Sequence, residues 1–134
     1  MDKIRAEIAV CGVISFADFM RSALYCPVYG YYETQKDRIG ARGDFYTSTS
    51  VGPLFGQLLA FQFCLWFDAS PAASAPRLSI VEAGAHDGTL ARDILTWIRD
   101  HRPDHYQRLE YCIVEPSPRR QQWQKETLSG FPVR

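Results

Sequence analysis

The chain has 134 residues, a hydrophobic fraction of 46% and a formal net charge of zero at pH 7. This length and apolar content suffice for a hydrophobic core of ordinary domain size. The 15 basic and 15 acidic residues are balanced in both halves of the chain. The positive excess typical of nucleic-acid-binding proteins is absent, so we expect no nucleic-acid partner.

The spacing of the cysteines and histidines bears on compartment and on metal binding. Cys11, Cys26, Cys64 and Cys112 form no C-x-x-C pair, which indicates reduced thiols in a cytoplasmic protein. His101 and His105 are separated by Pro103, so they cannot share a regular helix face, and we expect no metal site. The acidic N-terminus lacks the apolar run of a leader. The apolar run 54–67 is too short to cross a bilayer, so we expect no membrane partner.

The sequence of the first half of the chain predicts helices and loops. Residues 3–12 predict a short helix, and Ser15 begins a second helix with a variant capping box that has aspartate three residues later. The segment 54–66 predicts a helix that is apolar on most sides, so we expect it to be buried. Residues 68–76 have the composition of a linker. We therefore assign residues 1–70 to an N-terminal helical and loop segment.

The second half, residues 77–134, predicts alternating strands and helices, which is the pattern of an α/β fold. The predicted elements are a strand over 78–82, a helix over 89–101, a strand over 111–115 and a helix over 117–128. Pro103 should end the first helix and begin a connecting loop. Residues 131–134 resemble the start of a third strand. Because crossover connections between parallel strands are right-handed, strand 111–115 should lie beside strand 78–82.

A glycine-spaced turn joins the first strand of this unit to its helix. Gly84 can adopt the positive φ that the chain needs as it leaves the strand. Gly88 allows the start of the helix to pack closely against its neighbours. Either Asp87 or Thr89 can cap the helix, whose free N–H groups form a slightly positive end.

Acidic residues end both predicted strands, Glu82 the first and Glu115 the second. Parallel pairing would bring Glu82, Gly84 and Glu115 to one edge of the sheet, where ligands of open α/β folds bind. A carboxylate on the second strand suits the ribose hydroxyls of an adenosine cofactor. The alternative is that the turn is only a tight connection between strand and helix.

The position of the first acid distinguishes between cofactors. Dinucleotide sites read G-x-G-x-x-G with an acid about 20 residues later, whereas this chain reads Gly84-x-His86-x-Gly88 with Glu82 two residues before the first glycine. A carboxylate at that point suits the ammonium group of S-adenosylmethionine and would repel a pyrophosphate. The pattern therefore favours S-adenosylmethionine over NAD.

Several blocks along the chain together resemble the MidA family of S-adenosylmethionine-dependent methyltransferases. The blocks are Ile14-Ser15-Phe16-Ala17-Asp18-Phe19-Met20, Gly30-Tyr31-Tyr32, Gly40-x-x-Gly43-Asp44-Phe45-x-Thr47, Leu54-Phe55-Gly56, Val81-Glu82-x-Gly84-x-x-x-Gly88-Thr89-Leu90 and Val114-Glu115-x-Ser117-Pro118. The resemblance extends from about Ile14 to Leu128. It implies a Rossmann-like class I methyltransferase sheet of seven strands, of which this chain contains the first βαβα part.

The resemblance also implies roles for individual residues. Glu115 would bind the ribose diol through both carboxylate oxygens, and Glu82 would meet the methionyl ammonium directly or through water. Asp44 and Thr47 would lie near the cofactor crevice. His86 would either face the cofactor or be exposed to solvent. Mitochondrial members of the family are complex I assembly factors that methylate a protein arginine, so the resemblance implies a protein substrate.

The chain departs from the family pattern in three respects. The family usually reads Thr-Ala-Pro-Glu after G-D-F, where this chain has Thr47-Ser48-Thr49-Ser50, which puts arginine methylation in doubt. His86 occupies a position that relatives often fill with glycine or arginine. The chain is also shorter than family members, so we expect a truncated sheet that binds cofactor weakly and is inactive alone.

Two further hypotheses compete with a methyltransferase. The first is a non-catalytic binding or assembly module derived from one, favoured by the loss of the Pro-Glu pair. The second is a dehydrogenase domain, against which the acid before Gly84 counts. The sequence identifies neither a catalytic residue nor the methyl acceptor, and it does not predict the oligomeric state.

Overall fold

A computed structural model of the chain describes residues 2–34, 49, 51–69 and 74–134. Its backbone contacts group into two units, Met1–Arg38 and Ile39–Arg134. Among the described residues, no helix combines the length and apolar character needed to cross a membrane.

The first unit contains three helices, α1 (Asp2–Cys11), α2 (Phe16–Tyr25) and α3 (Tyr31–Thr34). The predicted start of α2 is confirmed, because the Ser15 hydroxyl accepts a 3.1 Å hydrogen bond from the backbone N–H of Asp18. This bond satisfies one of the N–H groups that every helix start leaves unpaired.

The second unit alternates helices and strands. Its elements are α4 (Leu54–Ala69), β1 (Leu78–Ala83), α5 (Thr89–His101), α6 (Pro103–Arg108), β2 (Leu109–Val114) and α7 (Pro118–Thr127). The order β1-α5-β2-α7 confirms the predicted βαβα unit. The segment after Pro103 corrects the sequence prediction, since it forms the short helix α6 and not a loop. Proline is tolerated there because the first helical N–H has no intrahelical partner.

The two strands pair in parallel, with a register that runs from Leu78 opposite Leu109 to Ala83 opposite Val114. Val133 forms a parallel bridge to Tyr111, and the Arg134 backbone N–H donates to the Tyr111 carbonyl at 2.9 Å. The chain therefore begins a third strand beside β2, as residues 131–134 predicted.

One face of the sheet forms the core with the helices. Alternate strand residues such as Leu78, Ile80 and Tyr111 are buried on that face. They pack with the apolar side of α5, including Ile94 and Ile98. In this layer, the apolar side of α5, which recurs every 3.6 residues, packs against strand residues that alternate every two.

Helix α4 packs against α5, and its buried residues are the small ones Gly56, Ala60 and Cys64. A Cβ atom at Gly56 would lie 2.7 Å from the Asp93 Cβ, so only glycine permits this approach. The prediction that the whole helix is buried was wrong, because Leu58 on another side is 58% exposed. Although α4 was assigned to the segment 1–70, it packs with residues of 77–134; the division itself stays a prediction.

Polar contacts also connect the end of α4 to α6. The Arg102 guanidinium donates to an Asp68 carboxylate oxygen at 2.7 Å, and His105 Nε2 lies 2.9 Å from the other oxygen. His105 is buried and Arg102 is partly buried. These contacts join the C-terminal end of α4 to the start of α6.

Candidate functional site

The carboxyl ends of β1 and β2 lie side by side. The backbone N–H of Gly84 donates a 3.0 Å hydrogen bond to the carbonyl of Val114, directly after the last register pair. The predicted placement of Glu82, Gly84 and Glu115 at one edge of the sheet is therefore confirmed. Ligands of open α/β sheets bind at such an edge.

The turn after β1 has three residues in the left-handed region, Gly84 at φ 73°, His86 at φ 50° and Gly88 at φ 84°. A Cβ at Gly84 would meet no atom within 4 Å, so this backbone is open to close approach. A Cβ at Gly88 would lie 3.1 Å from Cδ1 of Leu128, the residue that caps the C-terminal end of α7. Gly84 therefore borders open space, while Gly88 allows the turn to pack on α7.

Asp87 caps the start of α5. The N-cap position itself is Gly88, which has no side chain to offer. Of the two predicted capping residues, Asp87 supplies the bond from one residue earlier, since its Oδ1 accepts a 3.0 Å hydrogen bond from the backbone N–H of Thr89. The adjacent His86 imidazole and the Thr89 N–H together lower the pKa of Asp87 to about 2, against the opposing effect of burial. His86 Nδ1 lies 3.7 Å from Asp87 Oδ1. A charged carboxylate at this end complements the helix dipole.

Glu82 is held by a residue of the neighbouring strand. The Tyr111 hydroxyl donates a 2.8 Å hydrogen bond to Glu82 Oε2, and Tyr111 is fully buried. Burial raises the pKa of Glu82, the Tyr111 bond opposes this, and the charge of Asp87 adds to the rise. Glu82 thus offers a carboxylate at the sheet edge, with one oxygen already bonded.

Glu115 lies in the interior, where its side chain is only 1% exposed. Its Oε1 accepts a 3.0 Å hydrogen bond from the backbone N–H of Ser117, while its Oε2 has no hydrogen-bond partner. Arg120 Nη1 is 4.0 Å from Oε2, beyond hydrogen-bond distance. A buried carboxylate oxygen without a donor is unfavourable, and a ligand hydroxyl would satisfy it.

Helix α7 supports the turn from the side. The Gln124 amide donates a 2.9 Å hydrogen bond to the His86 carbonyl, and the Trp123 ring lies edge-on to the imidazole with centroids 5.8 Å apart. The Arg119 guanidinium stacks over the Trp123 ring, 5.2 Å from its centroid. His86 is therefore partly exposed and rests on Trp123; whether it also faces a cofactor stays a prediction.

Two of the predicted cofactor-binding residues, Asp44 and Thr47, lie outside the described residues. Within the described part of the chain, no group of histidine, cysteine or acidic side chains could hold a metal ion.

The described residues fit the polar groups of S-adenosylmethionine. The unpartnered Oε2 of Glu115 suits a ribose hydroxyl, although two-oxygen binding of the diol would share Oε1 with Ser117. Glu82 suits an ammonium group, and the open side of Gly84 allows a ligand to approach the backbone. This set offers acceptors for hydroxyl and ammonium groups, in keeping with the sequence prediction.

Sequence reasoning did not identify Tyr111, Trp123 or Gln124 as part of this site. A tyrosine inside a buried strand was a usable signal for the first, because its hydroxyl needs a partner. No comparable signal exists for Trp123 and Gln124, whose contacts with the turn depend on how α7 packs.

Comparison with known proteins identifies the family. The model of a family of S-adenosyl-L-methionine-dependent methyltransferases matches residues 58–133, which include β1, the glycine turn and β2. The chain belongs to this family, as the MidA resemblance implied. A zebrafish (Danio rerio) relative named mitochondrial protein arginine methyltransferase NDUFAF7 is 36% identical over 95% of this chain and 30% of its own length. The Drosophila melanogaster homologue is 34% identical over 87% and 25%.

Solved structures show the same fold. A Burkholderia thailandensis protein crystallised with S-adenosyl-homocysteine matches 99% of this chain and 35% of its own, with a TM-score of 0.76 and 33% identity. A native structure of a protein from the same organism gives a TM-score of 0.70. The chain spans about a third or less of the length of these relatives. This share fits the first part of a class I methyltransferase fold.

Proposed function

We propose that this chain binds S-adenosylmethionine and forms the cofactor-binding part of a methyltransferase. The observation that carries the proposal is that Glu82, Glu115 and the open backbone of Gly84 lie at the carboxyl ends of two paired strands. Glu115 Oε2 is buried without a donor, which a ribose hydroxyl would supply. The structure of a relative with S-adenosyl-homocysteine supports the same ligand class.

Each residue of the edge has a distinct role in this proposal. Glu115 binds the ribose, Glu82 binds the methionyl ammonium, and Gly84 allows the ligand to approach the backbone closely. Gly88 holds the turn against α7. When bound, S-adenosylmethionine supplies an electrophilic methyl group, so the protein has mainly to position the reactants and exclude water.

The proposed methyl acceptor is a protein arginine. Its support is that the relatives are named protein arginine methyltransferases. The replacement of the family's Pro-Glu pair within Thr47-Ser48-Thr49-Ser50 weakens the proposal, since a guanidinium acceptor needs a carboxylate to orient it and to receive its proton.

The cofactor proposal is tested by calorimetric titration of S-adenosylmethionine, S-adenosylhomocysteine and NAD into the 134-residue chain. We expect binding of the first two and none of NAD, because Glu82 would repel the pyrophosphate. Tighter binding of NAD would favour the dehydrogenase alternative. Absence of binding by all three would contradict a cofactor site in this chain.

The acceptor proposal needs a separate assay. The chain is incubated with methyl-labelled S-adenosylmethionine and a mixture of arginine-containing and lysine-matched peptides, and the products are analysed by mass spectrometry. Label on arginine supports the acceptor. Cofactor binding without transfer to any peptide would favour the non-catalytic module, an alternative that the changed Thr47–Ser50 block supports.

The cellular location remains a proposal too. The widely spaced cysteines favour the cytoplasm, whereas the animal relatives are named as mitochondrial proteins. Fractionation of cells that express the tagged chain would distinguish the two compartments.

A further inference from the structure

We propose that Tyr111 is a positioning residue that holds the Glu82 carboxylate in place and in its charged form for the ammonium group of the cofactor. The inference rests on the proposed function, which assigns the ammonium to Glu82. It goes beyond that function because Tyr111 belongs neither to the glycine turn nor to the pair of acids at the strand ends.

The geometry of the two strands carries the inference. Tyr111 pairs in register with Ile80, and Glu82 with Ile113. Residues two apart on a strand share a face, so Glu82 and Tyr111 lie diagonally across one face of the parallel pair. The hydroxyl donates to Glu82 Oε2 at 2.8 Å, and this leaves Oε1 available at the sheet edge.

The rigidity of Tyr111 makes it suitable for this task. The residue is 1% exposed and belongs to the central apolar cluster with Ile80 and Leu95. A side chain packed in this way has little rotameric freedom, so its hydroxyl fixes the position of the carboxylate that it contacts. The ring packs in this apolar cluster, and Glu82 supplies the acceptor that a buried hydroxyl needs.

The electrostatic surroundings of Glu82 explain why a donor matters. Burial disfavours the charged carboxylate, and Asp87 of the turn acts in the same direction. Tyr111 from β2 is the group that acts in the other direction. A hydrogen bond to an ionised group stabilises the charged form, so removing the hydroxyl should let Glu82 take up a proton at a higher pH.

The first test follows Glu82 directly by carbon-13 NMR of glutamate carboxyl groups in the ligand-free chain, with its resonance assigned through Glu82→Gln. In Tyr111→Phe, we expect Glu82 to titrate at a higher pH than in the wild type. Tyr106→Phe on α6, which removes the same hydroxyl from a partly buried position, should leave the Glu82 titration unchanged. An unchanged titration in Tyr111→Phe would overturn the inference.

A second measurement covers the case in which Tyr111→Phe fails to fold. In the wild-type chain, the ring carbon that bears the Tyr111 hydroxyl should shift with the same midpoint as the Glu82 carboxyl, because the two share a hydrogen bond. A Tyr111 ring that does not respond to the Glu82 titration would equally overturn the inference.

The third test concerns binding, with S-adenosylhomocysteine titrated into the wild type and Tyr111→Phe at pH values between and above the two Glu82 midpoints found by NMR. Between the midpoints, where Glu82 is charged in the wild type and neutral in the variant, we expect Tyr111→Phe to weaken affinity by about tenfold, the usual effect of a hydrogen bond to a charged group, and by less above both midpoints. In a Glu82→Gln background, Tyr111→Phe should have no further effect.

The outcomes separate the two proposals. Equal effects of Tyr111→Phe in both backgrounds would indicate a structural role alone and overturn the inference. If the wild-type chain does not bind S-adenosylhomocysteine, the proposed function fails, and the two NMR titrations still decide whether Tyr111 holds Glu82 in its charged form.

Discussion

The side-chain amide of Gln124 donates a 2.9 Å hydrogen bond to the backbone carbonyl of His86, a residue that lies 38 positions earlier in the chain. Gln124 is buried, and His86 has a positive φ of 50°, which non-glycine residues seldom adopt. Helix α7 therefore supports the glycine turn at its most strained residue, in addition to the packing of Leu128 against Gly88.

Gln124→Ala should destabilise both the fold and the turn. Loss of the amide leaves the His86 carbonyl without its donor in a partly buried place, which costs about 1–3 kcal/mol of unfolding free energy. Urea unfolding measures this loss, and amide hydrogen exchange should show reduced protection around residues 84–88. Gln122→Ala is the matched control, because its amide bonds only to the exposed Glu126; equal losses in both variants would contradict the supporting role.

Gly84→Ala should affect ligand binding more than stability. A Cβ there meets no atom, so the folding penalty is confined to the left-handed φ, about 1–2 kcal/mol. The methyl group would occupy the space through which a ligand approaches, and we expect S-adenosylhomocysteine affinity to fall about tenfold or more.

The control for Gly84→Ala is Gly130→Ala, which has a positive φ of 99° and equally open surroundings but lies beyond the end of α7. It should show a similar loss of stability in urea unfolding. Its affinity should stay near that of the wild type. Equal affinity losses in the two variants would mean that Gly84 is not a ligand-facing residue.

The pH dependence of stability should report the Asp87 cap. The folded-state pKa of about 2 lies below the ordinary aspartate value, so ionised Asp87 stabilises the fold above about pH 4. This contribution is lost as the pH falls through the folded pKa. Since the side chain is 45% exposed, solvent screening reduces the contribution to about 1 kcal/mol.

Asp87→Asn keeps a capping side chain and removes the charge. The variant should be less stable than the wild type by this amount at neutral pH, and the difference should shrink between about pH 4 and pH 2 in urea titrations. Asp104→Asn, at an exposed acid of α6, should change stability by less than about 0.5 kcal/mol. A difference that persists unchanged at low pH would contradict the role assigned to the Asp87 charge.

The βαβα unit could be predicted from the sequence because its signals are local. Helix α5 begins at Thr89 after an aspartate cap and a glycine turn and ends at His101 before Pro103, as the sequence indicated. The parallel pairing followed from the crossover connection, and with it the shared edge of Glu82 and Glu115.

Features that depend on tertiary packing could not be predicted. The apolar composition of α4 indicated a buried helix, yet its buried residues are the small ones Gly56, Ala60 and Cys64, and Leu58 is exposed. The bond between Tyr111 and Glu82 requires the strand register. That Glu115 points inward depends on its bond to the Ser117 N–H, which the sequence pattern does not distinguish from an exposed strand-end acid.

The most direct test of the cofactor site is calorimetric titration of S-adenosylmethionine into the wild-type chain and into Glu115→Gln. Glutamine retains an acceptor for the Ser117 N–H, so the variant removes the charge and the free Oε2 acceptor with little effect on the start of α7. Glu126→Gln, an exposed acid on the same helix, is the control.

Loss of the hydrogen bonds that the ribose hydroxyls donate to a charged carboxylate costs about 1.5–3 kcal/mol, which is roughly 10- to 150-fold in affinity. We expect Glu115→Gln to weaken S-adenosylmethionine binding by an amount in this range and Glu126→Gln to leave it unchanged. Equal affinity of the wild type and Glu115→Gln would contradict a cofactor site at the joined ends of β1 and β2.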